Sequence, residues 1–404
     1  MFESEVNPDN VDNADLVVSI PSYNEADSIA FPTIQASLGI KKYFPDKKAV
    51  IINCDNNSPD NTKQAFLETE TEVPKIYIST APEVKGKGNN FKNLFKKVIE
   101  LQAKAIVVVD ADLKSITPEW IKHLGEPLFN GFSYTAPLYV RHKYDGTITN
   151  GIAYPLSRAL YGRRVRQPIG GDFGFSGKLA GIYLESNVWD DATANFGIDI
   201  WMTTLAFNQR VRVCQSFMGR PKIHRPKDPA ASLGPMFREV VGTIFSLMKS
   251  FESTWLKVKY SKPTAIYGFG LGETEAPPKV DVNTDKLINN FQEGFIKHGE
   301  IWKNVLARDV YMKLHEIKEM KKDIFTFPTD LWARVLYDWA IAYRDTDDRA
   351  SLMDSLIPLY FGKTLSFVKK TEKMTIQQAE AAIEEDCMIF ESTKPYLVRK
   401  WNGK

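Results

Sequence analysis

The chain has 404 residues, of which 43% are apolar, so it can form one large domain or a domain with an added part. Its formal net charge is only +2, which gives no overall field that would attract nucleic acid or an anionic membrane. The acidic, polar start lacks the apolar core of a signal peptide, and no apolar run approaches the roughly 20 residues of a transmembrane helix. Its three cysteines lie far apart without metal-ligand spacing, as in a reducing compartment. We therefore expect a cytoplasmic enzyme that has two parts, no transmembrane segment and no nucleic-acid partner.

The first third of the chain alternates between two patterns after residues 1–14, which we expect to be a disordered lead. Short β-branched runs, typical of strands buried on both faces of a parallel sheet, recur over residues 16–20, 49–53, 75–79 and 105–109. The segments between them have helical patterns that begin near Asp27, at Pro59 and at Gly88. This alternation predicts an open, doubly wound α/β sheet with ligands at the carboxyl ends of its strands.

The pattern changes after residue 131. We predict strands over 132–142 and within 211–226, helices over 149–161, 196–207 and 235–260, and a glycine-rich loop over 167–177. We expect an α/β domain over residues 15–260, a linker rich in Pro, Gly and Thr over 261–284, and a helical domain over 285–404. One face of the predicted helix 329–344 carries a stripe that predicts core packing or a homodimer face, formed by Trp332, Val335, Leu336, Trp339, Ala340 and Tyr343.

The stretch AIVVVDADLKS places Asp110 and Asp112 directly after a predicted buried strand. Residues two apart on a strand project to the same side, so the two carboxylates can converge if the strand continues. Such carboxylates repel each other unless a cation lies between them, and Mg²⁺ or Mn²⁺ bound through oxygen would provide one. A second pair, Asp345 and Asp347, has no strand before it and is expected to lie in a solvated loop.

Two polar loops follow the first two strands. IPSYNEADS offers Asn24 and Glu25 to a nucleobase or ribose and the flat ring of Tyr23 for stacking, while Asp55 ends the second strand, where an acid can bond a ribose hydroxyl. Both loops could equally be ordinary turns. Because the chain contains neither G-x-G-x-x-G nor a Walker A motif, classical NAD and P-loop chemistry lose support.

Further candidate residues are charged or belong to a loop whose glycines allow a close backbone approach to a ligand. Lys87, in KGKGNN, precedes a predicted helix as a phosphate-seeking cation. Asp199 is a lone acid in an apolar helix, and His224 follows a predicted strand as a possible metal ligand. The loop of Gly170, Gly171 and Asp172 could approach a small substrate closely. Five arginines near that loop predict an anionic acceptor or, alternatively, a solvated basic face: Arg141, Arg158, Arg163, Arg164 and Arg166.

Taken in order over residues 16–226, the motifs IPSYNEADS, KGKG, DAD, QPIGGD, FGID and KIHRP resemble the nucleotide-sugar glycosyltransferases of the GT-A fold. Within that fold the chain looks like the group of mannosylglycerate synthase and glucosyl-3-phosphoglycerate synthase. The resemblance implies a Rossmann-like, doubly wound mixed sheet with a C-terminal all-helical extension. It also implies a GDP- or UDP-hexose as donor, a small anionic acceptor such as glycerate or 3-phosphoglycerate, transfer with retention, and Mg²⁺ or Mn²⁺ as cofactor.

The same resemblance implies roles for individual residues. Asp112 and His224 would ligate the metal, Lys87 would reach the diphosphate, and Asp199 would face the acceptor hydroxyl or the sugar. Contacts to the donor are implied for Pro21, Tyr23, Asn24, Glu25, Asp55, Lys87, Asp110 and Ala111. Contacts to the acceptor are implied for Gly170, Gly171, Asp172, Arg141 and Arg166. Asp172 stands where the group usually has Glu, and the RPKDPAASL segment that follows His224 also differs from mannosylglycerate synthase.

Three alternatives remain open from the sequence. The chain could be an inverting transferase that acts on a lipid phosphate or a polysaccharide, a sugar nucleotidyltransferase, or a non-catalytic module that binds sugar nucleotides. A nucleotidyltransferase usually carries a glycine-rich loop after its first strand, and IPSYNEADS, which follows the first strand here, lacks one. Release of nucleoside diphosphate from a sugar nucleotide would separate an enzyme from a binding module.

Overall fold

The structure is a computed structural model that describes residues 3–224, 229–268 and 275–403. It divides into two compact units. The sheet unit comprises Met1–Val140, Val165–Asp228 and Thr264–Pro277, and the helical unit comprises Arg141–Arg164, Pro229–Pro263 and Pro278–Lys404. The chain therefore passes between the units several times, which differs from the predicted succession of two domains.

The strands are, in chain order, β1 (Ser4–Val6), β2 (Leu16–Ser22), β3 (Ala49–Asp55), β4 (Lys75–Ser79), β5 (Ala105–Val108), β6 (Tyr134–Val140), β7 (Arg163–Arg164), β8 (Phe173–Ser176), β9 (Val213–Pro221), β10 (Lys262–Pro263) and β11 (Ala265–Tyr267). Nine of them form the sheet, in the order β1-β4-β3-β2-β5-β8-β6-β9-β11. Strands β4, β3, β2 and β5 are parallel, and β8 runs antiparallel between β5 and β6. The predicted α/β class with a mixed sheet is confirmed.

The helices of the sheet unit are α1 (Ala30–Tyr43), α2 (Thr62–Glu68), α3 (Lys87–Glu100), α4 (Pro118–Phe129), α6 (Gly177–Glu185), α7 (Asp191–Ala194) and α8 (Ile198–Asn208). Those of the helical unit are α5 (Tyr154–Tyr161), α9 (Pro229–Ser250), α10 (Glu252–Trp255), α11 (Thr284–Val305), α12 (Arg308–Lys318), α13 (Thr329–Asp345), α14 (Arg349–Thr371) and α15 (Ile376–Trp401). A π-helical turn precedes α5, and a 3₁₀ turn precedes α13. Among the described residues, no helix combines the length and the apolar character needed to span a bilayer.

The core of the sheet unit follows from the alternation of side chains along buried strands. Leu16, Val18 and Ile20 of β2 share one cluster with Val107 of β5 and Trp120 of α4. On helix α3, the Phe95 ring packs 5.2 Å from that of Tyr183 in α6 and 5.8 Å from that of Phe175 in β8. Helices therefore cover the sheet as the doubly wound pattern predicts.

The aromatic stripe of α13 belongs to the core of the helical unit. Trp332 and Trp339 are fully buried, and their indole nitrogens donate hydrogen bonds to Gly151 O at 2.8 Å and Leu352 O at 3.0 Å. Core packing is thus the correct interpretation of this stripe, since buried rings with satisfied donors offer no surface to a second copy. A homodimer stays a prediction.

Three sequence-based boundaries are wrong for identifiable reasons. The lead is not wholly disordered, because Ser4–Val6 pairs antiparallel with β4 and covers its edge. The glycine-rich loop ends at residue 172, because Phe173–Ser176 is strand β8. Within the expected linker, Ala265–Tyr267 pairs with β9 and Lys262–Pro263 pairs with β7. Residues 225 and 226 of the predicted strand and residues 269–274 of the linker lie outside the described residues.

Strand β1 gives a testable prediction about stability. Deleting residues 1–8 should lower the unfolding free energy by about 2 kcal/mol, since it removes several backbone hydrogen bonds that each contribute roughly 0.5–1.5 kcal/mol. It also removes the ion pair between Lys97 Nζ and Glu5 Oε1, at 2.6 Å. Urea denaturation measures the loss. A chain shortened by residues 1 and 2 alone is the control, and equal midpoints for the two deletions would show that β1 does not stabilise the sheet.

Candidate active site

The candidate site lies at the carboxyl edge of the sheet, where the strand order reverses. From β2 the chain proceeds to β3 and β4 on one side and then returns to β5 on the other side of β2. Ligands of open α/β sheets bind at such switch points. Ser22 ends β2 here, and Asp110 follows β5 after a ladder hydrogen bond from Val109 N to Ser19 O.

Five charged side chains form a row of alternating sign at this edge, which we call the charge row: Asp199, Lys87, Asp110, Lys222 and Asp172. Lys87 Nζ lies 3.0 Å from Asp110 Oδ1 and 3.2 Å from Asp199 Oδ1. Lys222 Nζ lies 2.7 Å from Asp110 Oδ2 and 2.9 Å from Asp172 Oδ2. Each oxygen of the Asp110 carboxylate therefore faces a different lysine.

Glycines at the start of α3 bring Lys87 to Asp199. A Cβ on Gly88 would lie 2.0 Å from Thr193 O, and one on Gly86, whose φ is +108°, would lie 2.3 Å from Ala194 O. Only glycine allows this approach to the end of α7, which precedes the first turn of α8 and its Asp199. The glycines of KGKG thus allow a close approach to the backbone of another part of the protein.

At the other end of the charge row, Asp172 belongs to the loop of residues 170–172. Asp172 is fully buried and accepts hydrogen bonds from Asp110 N through Oδ1, at 2.9 Å, and from the hydroxyl of Tyr139 through Oδ2. Gly171 has φ of +84°, and a Cβ there would lie 2.5 Å from Asp110 Oδ2 and 2.8 Å from Lys222 Nζ. The loop therefore requires glycine both for its backbone conformation and for space.

Burial and charge act against each other on the pKa values of the row. Burial alone would lower the pKa of Lys87, but the carboxylates of Asp110 and Asp199 outweigh it and the pKa is raised. Burial raises the pKa of Asp199, with Lys87 opposing it, and burial likewise raises that of Asp172, with Lys222 opposing it. Lys87 therefore remains a cation at every physiological pH.

Asp112 and His224 are placed together by backbone pairing. Leu113 forms an isolated antiparallel bridge with His224, and Lys114 N donates to Ile223 O at 2.8 Å. The expectation that Asp110 and Asp112 share one side of a strand is wrong, because β5 ends at Val108 and the chain turns after Asp110. Asp112 is buried and lies one residue before the bridge to His224, while the carboxylate of Asp110 faces the two lysines. Asp345 and Asp347 are exposed, as expected.

These two residues fit a divalent cation that takes its other ligands from substrate and water. An imidazole beside a carboxylate suits Mn²⁺ better than Mg²⁺, which prefers oxygen ligands and is often bound by one or two carboxylates plus phosphate oxygens and water. Within the described ranges, no three His, Cys, Asp or Glu side chains cluster as a complete metal site. Because both Asp110 oxygens are paired with lysines, Asp112 is the acid that suits the metal better.

The two predicted nucleoside loops contact each other. Asn24 N donates to Ser58 Oγ at 2.8 Å, Glu25 N donates to Thr62 Oγ1 at 2.9 Å, and Ala26 N donates to Asp60 Oδ2 at 3.1 Å. Tyr23 is 40% exposed beside them, whereas Pro21 is buried within β2 and Ala111 is buried in the core. Tyr23, Asn24 and Glu25 are therefore placed where a nucleoside could bind.

Asp55 is fully buried and already saturated by protein donors. Ser22 Oγ at 2.8 Å and Ser58 Oγ at 2.6 Å donate to Oδ1, while Ser58 N at 2.7 Å and Tyr77 OH at 3.0 Å donate to Oδ2. In this arrangement Asp55 orients the Ser58 loop, and a direct bond to ribose would require one of these donors to leave.

The predicted arginines are divided between the two units of the chain. Arg158 is buried in the helical unit, where it pairs with Glu384 and Glu391, and Arg141 of the same unit lies 3.7 Å from Asp145. Arg166 is nearly buried in the sheet unit, where its backbone N donates to Gln215 Oε1 at 2.6 Å. Of the predicted acceptor residues, the structure brings Gly170, Gly171 and Asp172 to the charge row.

Sequence reasoning missed Lys222 and Tyr139. Lys222 stands two residues before His224 in KIHRP, so the histidine that was identified could have directed attention to it. Tyr139 lies inside β6, where a tyrosine is an ordinary strand residue, and no sequence signal marks it.

Comparison with known proteins gives concordant results. Residues 17–185 match the model of glycosyl transferase family 2. A curated relative, glucosyl-3-phosphoglycerate synthase of Petrotoga mobilis, is 30% identical over 178 residues, which cover 39% of this chain and 51% of the relative. The chain thus spans about half the length of the curated relative that it matches. The predicted resemblance to a glycosyl transferase domain is confirmed.

Two crystal structures of glucosyl-3-phosphoglycerate synthase from Mycobacterium tuberculosis are also similar to this chain. One contains Mn²⁺, UDP and glucosyl-3-phosphoglycerate and is 22% identical with a TM-score of 0.45. The other contains Mg²⁺ and UDP and is 23% identical with a TM-score of 0.45. Each match covers 58% of this chain and 79% of the other.

Tyr139 gives a prediction that follows from geometry alone. Tyr139→Phe keeps the ring, which packs 5.5 Å from that of Trp120, but removes the donor to Asp172. Since a hydrogen bond to a charged group contributes about 1.5–3 kcal/mol, the unfolding free energy should fall by about 2 kcal/mol in urea denaturation. Tyr260→Phe, at a tyrosine that is 66% exposed, is the control and should change it by less than about 0.5 kcal/mol. Equal effects of the two changes would contradict the assigned bond.

Proposed function

Because residues 17–185 match the family 2 glycosyl transferases, we propose that this chain is a metal-dependent hexosyltransferase. It transfers a hexose from a GDP- or UDP-sugar to a small anionic acceptor such as glycerate or 3-phosphoglycerate, with retention of configuration. The observation that carries the proposal is the position of Lys87 at the switch point, paired with Asp110 and Asp199 and partly open to solvent. The alternatives of a lipid-phosphate acceptor and of nucleotidyl transfer have no comparable support from the site.

Asp112 and His224 would hold Mg²⁺ or Mn²⁺ in this proposal. The bound metal supplies positive charge to the diphosphate of the donor, which stabilises it as a leaving group. The bridge between Leu113 and His224 brings the backbone next to Asp112 close to that of His224, which supports this pair of ligands. Asp110 supports the same region by holding Lys87 and Lys222 in place.

Lys87 is the residue suited to bind the diphosphate directly. Its side chain is 19% exposed, and two of its three ammonium protons point to Asp110 and Asp199, which leaves one for a phosphate oxygen. The two carboxylates keep it protonated, as its raised pKa shows. A fixed cation aimed at the site where negative charge develops lowers the barrier without reorganising during the reaction.

The nucleoside would bind at the carboxyl ends of β2 and β3. Tyr23 presents an exposed ring for stacking, and Asn24 and Glu25 present polar groups on a loop held by Ser58 and Thr62. Asp55 acts through Ser58 by fixing the orientation of this loop. Pro21 shapes the end of β2, where the buried strand becomes loop.

The acceptor would bind at the 170–172 loop. The similarity to glucosyl-3-phosphoglycerate synthase supports glucose as the sugar and phosphoglycerate as the acceptor class. Asp199, which lies next to Lys87, would bond the acceptor hydroxyl or the sugar. Arg166 and Arg141 remain proposed contacts for the negative charge of the acceptor.

One assay tests the proposal as a whole. UDP-glucose, GDP-glucose and GDP-mannose are each incubated with the protein and Mn²⁺, with and without glycerate or 3-phosphoglycerate, and release of nucleoside diphosphate is measured. We expect acceptor-dependent release, with the anomeric configuration of the product retained in its NMR spectrum. Absence of release with every donor and acceptor would refute the proposed activity.

The metal assignment gives the next prediction. Asp112→Asn should reduce Mn²⁺-dependent turnover at least 100-fold, because an amide is a weaker ligand and carries no charge. Asp347→Asn is the matched control, since Asp347 belongs to the exposed second D-x-D pair and should leave turnover unchanged. Titration of Mn²⁺ in the presence of nucleoside diphosphate checks the cause, because a metal ligand also determines the affinity for Mn²⁺. Near-normal turnover of the Asp112 variant would eliminate this metal site.

Lys87 gives an independent prediction. Lys87→Met should lower kcat by about 10²–10³-fold, the usual effect of removing one fixed donor to developing negative charge. Lys92→Met removes an exposed lysine from the same helix and should have no effect. Steady-state kinetics with saturating acceptor separate the effect on kcat from that on donor KM. A change confined to donor KM would mean that Lys87 binds the donor equally in ground and transition states.

A further inference from the structure

Lys222 is buried where the charge row meets the end of β9. Its side chain is only 4% exposed, and its Nζ donates to Asp110 Oδ2 at 2.7 Å, to Gly170 O at 2.8 Å and to Asp172 Oδ2 at 2.9 Å. An ammonium group has three protons, and here each has an acceptor in the protein. Lys222 therefore differs from Lys87, which is more exposed and has fewer protein acceptors.

Two of the three acceptors belong to the 170–172 loop, and the third belongs to the segment after β5. Lys222 thus joins three parts of the chain that are far apart in sequence: the end of β9, the end of β5 and the loop before β8. The ammonium is also the charge that balances the fully buried Asp172. Without it, Asp172 and Asp110 would face each other as two carboxylates and repel.

The glycines of the loop make this arrangement possible. Since a Cβ on Gly171 would lie 2.8 Å from Lys222 Nζ, the backbone of the loop must pass directly over the ammonium. A Cβ on Gly170 would lie 2.5 Å from Pro137 Cγ, so the loop is also confined on the side of β6. The loop is therefore confined by Pro137 on one side and bound by the Lys222 ammonium on the other.

We propose that Lys222 is a positioning residue that fixes the 170–172 loop for the acceptor and does not contact the donor. This inference rests on the proposed function, because it concerns the acceptor side of the same reaction. Transfer depends steeply on acceptor placement, and a shift of about 1 Å at a reacting group can cost roughly 100-fold in rate. In the proposed function the donor is bound by Lys87, Asp112, His224 and the loop of residues 23–25, none of which receives a hydrogen bond from Lys222. Lys222 does bond Asp110 Oδ2, but the other oxygen of that carboxylate, Oδ1, is the one that faces Lys87.

The test separates donor binding from transfer in Lys222→Met. We expect transfer kcat to fall about 100-fold and acceptor KM to rise about tenfold, while Mn²⁺-dependent binding of the nucleoside diphosphate, measured by calorimetry, stays within about threefold of the unchanged protein. Slow donor hydrolysis without acceptor should also stay within about threefold. Lys178→Met, which removes an exposed lysine of α6, is the matched control and should leave all these quantities unchanged.

A second variant addresses the buried charge that the first one leaves behind. Lys222→Met/Asp172→Asn removes the cation together with its buried partner, so the double variant should regain thermal stability relative to Lys222→Met. If Lys222 acts by positioning the loop, Lys222→Met and Asp172→Asn disturb the same structure. Their effects on transfer kcat should therefore not multiply. The double variant should therefore transfer within about threefold of the slower single variant.

Three results would overturn the inference. They are a parallel loss of nucleotide binding and transfer, unchanged transfer, and a double variant whose defect equals the product of the two single defects. Failure of the proposed function is distinguishable from all three, because it is seen in the unchanged protein as an absence of acceptor-dependent release.

Discussion

The lysine pair that separates three carboxylates is the constraint on which the site depends. Asp199, Asp110 and Asp172 come from α8, the end of β5 and the loop before β8, and each is at least partly removed from solvent. Buried carboxylates can remain close only when cations stand between them, and Lys87 and Lys222 occupy the two intervening positions. The strand order, the glycines of α3 and the turn after Asp110 all serve to bring these five side chains into one row.

Because of this arrangement, Asp110 and Asp112 of the D-x-D motif have different surroundings and are suited to different roles. A motif of this kind suggests two equivalent metal ligands, but Asp110 has a lysine at each oxygen and Asp112 lies one residue before the bridge from Leu113 to His224. The difference arises because β5 ends before Asp110, so the chain turns and the two side chains no longer share one face. Asp110 organises cations, and this leaves Asp112 as the better candidate to bind one.

The sequence predicts the parallel strands β2 to β5 well and the short strands β1 and β8 poorly, for physical reasons. β2 to β5 are buried on both faces, so their β-branched runs are continuous and recognisable. Strand β1 is the tripeptide Ser4–Val6 with one apolar residue, and β8 has only four residues, with a glycine between its two phenylalanines, directly after a glycine-rich loop. The return of residues 141–164 to the helical unit has no local signal, because it depends on long-range contacts such as that of Arg158 with Glu384 and Glu391.

The candidate site shows the same division. Lys87, Asp199 and His224 stand out because each interrupts a pattern, as a charge before a helix, an acid among apolar residues or a histidine after a strand. Lys222 and Tyr139 could not be found in this way, since their role comes entirely from what they contact. The sequence identified Asp55 from its position at the end of a strand. Only the fold shows that four protein donors bind its carboxylate and that it thereby orients the Ser58 loop.

The charge row also restricts how an anionic acceptor can be oriented. With all five groups ionised, the row has three carboxylates and two ammoniums, and Lys222 already has three protein acceptors, so Lys87 is the ammonium better placed to bind a phosphate oxygen. If the acceptor is the small anion proposed above and the donor diphosphate lies at Lys87, we expect the acceptor to present its neutral hydroxyl to the row, where Asp199 can accept a hydrogen bond from it, and to direct its carboxylate or phosphate away from the carboxylates of the row. That orientation is the one that transfer to a hydroxyl requires.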